Sequence, residues 1–193
     1  MKETITSIIK SSIETKTAIL NDNKIISDIE TIAIRMSEAI SCGGKIVICG
    51  NGGSASDAMH FAGEIVGRFQ MERNPWPAIA LNGDVTSVTS IANDYGYEEV
   101  FARQTMAHLK KEDVFVGIST SGNSENVFRA MKVANKIGSY NVALLGKDGG
   151  KIKDICPNSI IVPSTSPARI QESHIMIIHI LCEIIEKELS YAQ

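Results

Sequence analysis

Apolar residues at Ile5, Ile8, Ile9, Ile13 and Leu20 keep roughly helical spacing, and a second periodic stretch runs from about Ile25 to Ile40. Two helices therefore precede any strand. Gly43 and Gly44 stop the second helix, and KIVICG, residues 45–50, follows as a short β-branched run. Beyond it the pattern alternates. A helix near 54–68 precedes PAIALN at 77–82, and helical stretches cover 84–92 and 98–110. DVFVGIST at 113–120 leads into a helix over 124–137, then come YNVALLG at 140–146, a short SIIVPS, and a last helix at about 168–189. Apolar strands separated by helices specify a parallel sheet covered on both faces, because crossover helices bury both sides. The expected architecture is α/β: a doubly wound, five-stranded parallel sheet in a Rossmann-like three-layer sandwich, with a helical preface over residues 1–43. The apolar face of the first helix has two destinations, the flank of its own sheet or a neighbouring subunit, and the second is expected.

Composition narrows the class of partner. A chain of 193 residues suits one domain, and 44% hydrophobic content places it among globular proteins. A net charge of −3 with no basic cluster argues against a nucleic-acid surface, which needs grouped Lys and Arg. The longest apolar runs, such as ILCEII, are broken by charge well short of the roughly 20 residues of a membrane span. The N-terminus shows no unbroken apolar region with a cleavage site, so a cytoplasmic protein is expected. Cys42, Cys49, Cys156 and Cys182 have no CxxC spacing and read as buried or partly buried thiols.

Two loops suit the carboxyl ends of a parallel sheet, where ligands collect. GNGGSAS, residues 50–56, can bring backbone N–H groups close to an anion. STSGNSEN, residues 119–126, sets Ser119, Thr120, Ser121 and Ser124 near a helix N-terminus, which carries about half a positive charge. For either loop alone, capping and solvated hydroxyls explain the composition equally well. Two such loops after two strands favour a phosphorylated small molecule. Neither matches GxGxxG or a Walker lysine motif, so a sugar phosphate fits better than a dinucleotide or nucleoside triphosphate.

His60 lies four residues before Glu64 on the helix leaving the first loop, so both project to one face. His174 and His179 lie on the last helix. Imidazole with carboxylate oxygen and no thiolate suits zinc or another divalent metal, and the same groups can move protons. A core histidine bonded to backbone is the alternative for His179, whose neighbours Ile177, Ile178, Ile180 and Leu181 are apolar, and His108 reads as exposed.

CGNGGSASDAMHFAGE, IANDYGYEEVFARQ, EDVFVGISTSGNSENV, GKDGG and RIQESHIMIIH together resemble the sugar-isomerase (SIS) domain family, and within it the isomerases of heptose phosphates. The resemblance implies a cytoplasmic homotetramer that converts sedoheptulose 7-phosphate into D-glycero-D-manno-heptose 7-phosphate, the first step toward activated heptoses of bacterial surface glycans. It further implies zinc held by His60, Glu64, Gln171 and His179. Substrate contacts would fall on Asn51, Gly52, Gly53, Ser54, Glu64, Asn93, Asp94, Ser119, Thr120, Ser121, Ser124 and Gln171, with Arg68 a further contact. Glu64 would move the carbon-bound proton and His179 the oxygen-bound one. Residues 171 and 179 are about 80° out of phase on a regular helix, so periodicity alone pairs Glu172 with His179. The resemblance selects Gln171, at a helix start that can be irregular. Non-catalytic relatives of this fold, which partner the bacterial replication initiator, lack the Glu and the final His present here.

Overall fold

A computed structural model describes residues 1–191. The two opening helices are α1 (Lys2–Leu20) and α2 (Asn23–Ser41). The Asp22 carboxylate starts the second by accepting the N–H groups of Lys24 and Ile25. Strands β1 (Ile46–Gly50), β2 (Ala78–Ala80), β3 (Val114–Ser119), β4 (Tyr140–Gly146) and β5 (Asn158–Val162) form one parallel sheet in the order β2-β1-β3-β4-β5. Between them run α3 (Gly53–Val66), α4 (Val85–Tyr95), α5 (Val100–His108), α6 (Glu125–Ile137) and the single turn α7 (Gly150–Lys153), and α8 (Pro167–Tyr191) ends the described chain.

Alternation along each strand divides the core in two. Ile46, Ile48, Val114, Val116, Ile118, Val142, Leu144, Ile160 and Val162 face α2, α3 and α8. Val47, Cys49, Phe115, Ala143 and Leu145 face α5, α6 and α7. The central strands are buried along their whole length, which is why they read as unbroken apolar runs. From β1 the chain steps to one side to make β2 and to the other to make β3, so the order reverses between β1 and β3. The loops after these strands flank that crevice, where open α/β sheets bind ligands. β2 is an edge strand of three residues, preceded by Pro75 and Pro77.

Three features depart from the expected pattern. The helix expected to end near residue 92 continues to Tyr95 and is followed by a 3-10 turn over Tyr97–Glu99. The turn α7 packs Ile152 into the core, although four residues are too short to show a period. Cys42 is exposed, while Cys49, Cys156 and Cys182 are buried, where burial raises the Cys156 thiol to about 11 and Cys182 to about 12.

His174 is the histidine that belongs to the core. It lies on the same side of α8 as Ile170, Ile177, Ile178 and Leu181, is fully buried, and bonds Leu145 O through Nε2 at 2.9 Å. Burial pushes its pKa down to about 4, against a smaller upward pull from the bond to Leu145. Because the unfolded chain takes up this proton near pH 6.5 and the folded one only near 4, stability is complete above 6.5 and is lost as pH falls through that window. The loss is about 3 kcal/mol at pH 4. Asp57, raised to about 6, works in the opposite direction over much of the same range, so the His174 part is read as a difference. His174→Gln is expected to flatten the acid limb of denaturant-measured stability relative to the parent protein, and superimposable pH profiles would refute this.

Candidate active site

The loop between β1 and α3 turns on Gly52, whose φ of 57° is unfavourable for a residue with a Cβ. Ser54 is buried and donates its N–H to Asn51 O. The Asn51 amide is engaged on both sides: Nδ2 donates to Asn126 Oδ1 at 2.8 Å, and Asn126 Nδ2 donates back to Asn51 Oδ1 at 2.9 Å. The Tyr97 hydroxyl adds a third bond to Asn51 Oδ1 at 3.0 Å. This pair ties the first loop to the start of α6, and hence to the second loop.

In the second loop the Ser119 and Ser124 hydroxyls lie 2.9 Å apart, and Ser121 Oγ accepts the Asn123 N–H. Thr120 and Ser121 are half-buried at the rim. GKDGG, residues 146–150, backs this loop: Ile152 N–H donates to Gly122 O and Lys151 N–H to Asn123 Oδ1. Its function in the fold is thus to hold the hydroxyl-rich turn from behind. Asn93 and Asp94 sit on the exposed last turn of α4, the amide donating to the carboxylate at 2.8 Å. Arg68 is exposed and pairs with Glu72.

One side of the crevice gathers the titratable groups. His60 Nε2 lies 3.0 Å from Glu64 Oε1 on its own helix and 3.1 Å from His179 Nε2 on α8. One ligand atom from each of the three falls within 4.8 Å of the others. Two imidazole nitrogens at this distance either share one proton or aim both lone pairs at a cation. The separations are close to the edge of about 3.3 Å in a tetrahedron of nitrogen ligands about 2.0 Å from zinc. An N₂O donor set without sulfur, with Glu64 and His179 half-buried and His60 exposed, suits a divalent metal of the zinc type. Asp57, one turn before His60, has a buried Oδ2 with no hydrogen-bond partner among the described residues. Burial raises its carboxyl to about 6 while the His60 imidazole pulls it down.

Residues 171 and 172 point apart. Glu172 accepts from Ser12 Oγ on α1 at 2.7 Å and from Arg169, which removes it from the crevice. Gln171 turns toward the first loop, where a Cβ on Gly53 would lie 2.6 Å from its Nε2. Gly53 has an ordinary φ, so alanine is tolerated by the backbone there and the flexible amide must give way. If zinc is held here as the resemblance implies, with Gln171 as a fourth ligand, Gly53→Ala is expected to keep its fold but bind the ion about tenfold more weakly in a chelator competition. Unchanged affinity would remove Gln171 from the ligand set.

Sequence reading missed Asn126, Tyr97 and Asp57. An asparagine two positions into α6 carries no local signal of its partner 75 residues away, whereas Asp57 was detectable as a third polar residue on the His60 face.

The chain matches the SIS domain family over residues 10–146. It is 50% identical over 189 residues to a phosphoheptose isomerase of Clostridium acetobutylicum, spanning 98% of this chain and 96% of that one. Among solved structures it resembles the phosphoheptose isomerase of Neisseria gonorrhoeae, with 39% identity and a TM-score of 0.89 over 96% of this chain and 98% of the other. A phosphoheptose isomerase from Francisella tularensis is similar at 38% identity and a TM-score of 0.91, over 96% and 97% of the two chains.

Proposed function

Since the chain belongs to the phosphoheptose isomerases of the SIS-domain family, we propose that it interconverts sedoheptulose 7-phosphate and D-glycero-D-manno-heptose 7-phosphate, supplying activated heptose synthesis for surface glycans. The observation that carries the reading is the meeting of His60, Glu64 and His179 between α8 and α3, the helix that leaves the loop after β1.

The phosphate is received by the hydroxyls of Ser119, Thr120, Ser121 and Ser124 and by N–H groups at the start of α6. Asn51, Gly52, Gly53, Ser54, Asn93, Asp94 and Gln171 complete the sugar contacts. Anchoring that end holds the reacting carbons at a fixed reach from the catalytic pair. Glu64 takes the proton from C1 of the ketose while His179 gives one to the carbonyl oxygen on C2, leaving an enediol. The hydroxyl on C1 then gives its proton to His179, restoring the one that imidazole had donated, Glu64 returns its own to C2, and the aldose is formed with no net change in protons. Glu64 Oε1 faces His60, so its second oxygen serves the carbon. His60, Glu64, Gln171 and His179 would hold zinc, which supplies Lewis acidity toward the substrate oxygens.

The same reading makes the protein a cytoplasmic homotetramer. Among the described residues no helix is long and apolar enough to cross a membrane. Helix α1 presents Ile5, Ile8, Ile9 and Ile13 to solvent, and an apolar groove of about 310 Å³ opens between α1, α2 and α8, lined by Ile19, Leu20, Ile26, Ile29, Met176 and Ile180. Second copies of the chain would cover both. Sedoheptulose 7-phosphate turnover by metal-stripped protein, before and after zinc is returned, tests the catalytic reading. Restoration of aldose formation by zinc is the expected result, and a loaded tetramer inert toward the ketose would overturn it.

A further inference from the structure

The segment over residues 67–77, between α3 and β2, contains none of the groups assigned above except Arg68, yet it is tied down tightly. Four of its hydrogen bonds converge on one carboxylate. Glu186 lies two helical turns beyond His179 on α8 and is 2% exposed. Its Oε1 accepts the Phe69 N–H and Arg73 Nε, and its Oε2 accepts the N–H groups of Gln70 and Met71, each at 2.9 Å. Burial alone would raise this carboxyl, but the four donors hold it below the usual range.

Arg73 extends the clamp to the helix that bears the ligands. Its Nη2 donates to Glu64 O at 2.9 Å and its Nη1 to Ile65 O at 3.0 Å, satisfying carbonyls in the last turn of α3. The guanidinium lies 3.7 Å from the centre of the Trp76 ring, which covers it. What the clamp presents to the site is Phe69. Its ring sits 5.4 Å from the His179 ring at an angle of 26°, on the imidazole whose Nε2 meets His60. The half-buried His179 bonds through Nε2, so packing against this ring sets the plane of the imidazole.

We propose that Glu186, Arg73 and Phe69 form a positioning device: the carboxylate fixes the segment, the guanidinium fixes the turn carrying Glu64, and the phenyl ring fixes the plane of His179. One buried group thus orients the two catalytic side chains on two different helices. The inference rests on the reading of Glu64 and His179 given above, and the three residues act through those two side chains.

Phe69→Leu removes the flat surface and keeps apolar volume; Phe69→Tyr keeps the surface. In the full-length, zinc-loaded protein, Phe69→Leu is expected to lower both kcat and zinc affinity about tenfold. KM for sedoheptulose 7-phosphate should stay within about twofold and the melting temperature of the metal-free protein should be unchanged. Phe69→Tyr should restore both losses. Glu186→Gln, if it folds, should lose kcat in the same way, and Glu186→Asp should regain part of it. A Phe69→Leu protein with parental kcat and zinc affinity, or one that loses only melting temperature, overturns the proposal. The crystal structure of Phe69→Leu decides it independently of any activity: a rotated His179 imidazole supports the device and an unmoved one refutes it. Failure of the parent protein to isomerise the heptulose phosphate would instead count against the catalytic reading, with the ring position still deciding this one.

Discussion

Glu64→Gln is expected to turn over sedoheptulose 7-phosphate about 10²–10⁴-fold more slowly than the parent protein, the usual loss when one general acid/base group is removed. The substitution keeps the size and planar shape of the side chain, and an amide can still bond His60 Nε2 across the 3.0 Å gap. The anchors of that turn use main-chain atoms, since Arg73 bonds the carbonyl of Glu64 and not its carboxylate. The fold should therefore survive, and the amide oxygen can still serve as a ligand to a metal held there. What is lost is a group that can take a proton from carbon and give it back. The clean readout is hydrogen exchange at C1 in deuterated water alongside turnover, and both should vanish together. A variant that retains near-normal turnover with metal bound would move the carbon-directed role elsewhere, with His179 the first alternative.

Gly122→Ala is expected to cost about 2–5 kcal/mol of stability and to raise KM for the phosphorylated substrate. Two effects add. Gly122 has φ +65°, where a side chain costs about 1–2 kcal/mol. A Cβ there would also lie 1.9 Å from Gly149 O and 2.3 Å from its carbonyl carbon, so the second loop and GKDGG must separate. Separation breaks the bonds from Ile152 N–H and Lys151 N–H that hold the hydroxyl-rich turn, adding about 1–3 kcal/mol of packing strain. Gly138 supplies the control. It has φ +81° but open space around it, so Gly138→Ala should show only the conformational part and leave KM alone. Equal losses in the two variants, measured by urea denaturation, would mean that the contact between the two loops carries nothing.

The central strands were legible because burial on both faces leaves them almost wholly apolar. DVFVGIST marks β3 to within a residue or two at each end, and the His60/Glu64 pair follows from helix geometry alone. Choosing between histidines of one helix was harder, since the apolar neighbours Ile177, Ile178, Ile180 and Leu181 suggested the core for His179, whereas His174 follows the polar Gln171, Glu172 and Ser173. Only the packing of α8 puts His174 in the core and His179 at the crevice. The direction of residues 171 and 172 likewise depends on α1, whose Ser12 takes up Glu172 from 160 residues away. The Asn51–Asn126 pair and the Glu186 clamp lie beyond local pattern altogether. Each joins residues more than 70 positions apart, and neither an asparagine nor a glutamate announces a partner at that range.

The shortness of β2 bears on the protein's life in a crowded cell. A sheet with one long bare margin invites other chains to dock their own backbones onto it, and stacking of that kind seeds fibrils. Here the margin is three residues wide, with Pro77 immediately before it. A foreign strand would find too few free donors and acceptors to gain a hold, so growth by strand addition is stopped on that side before it can begin.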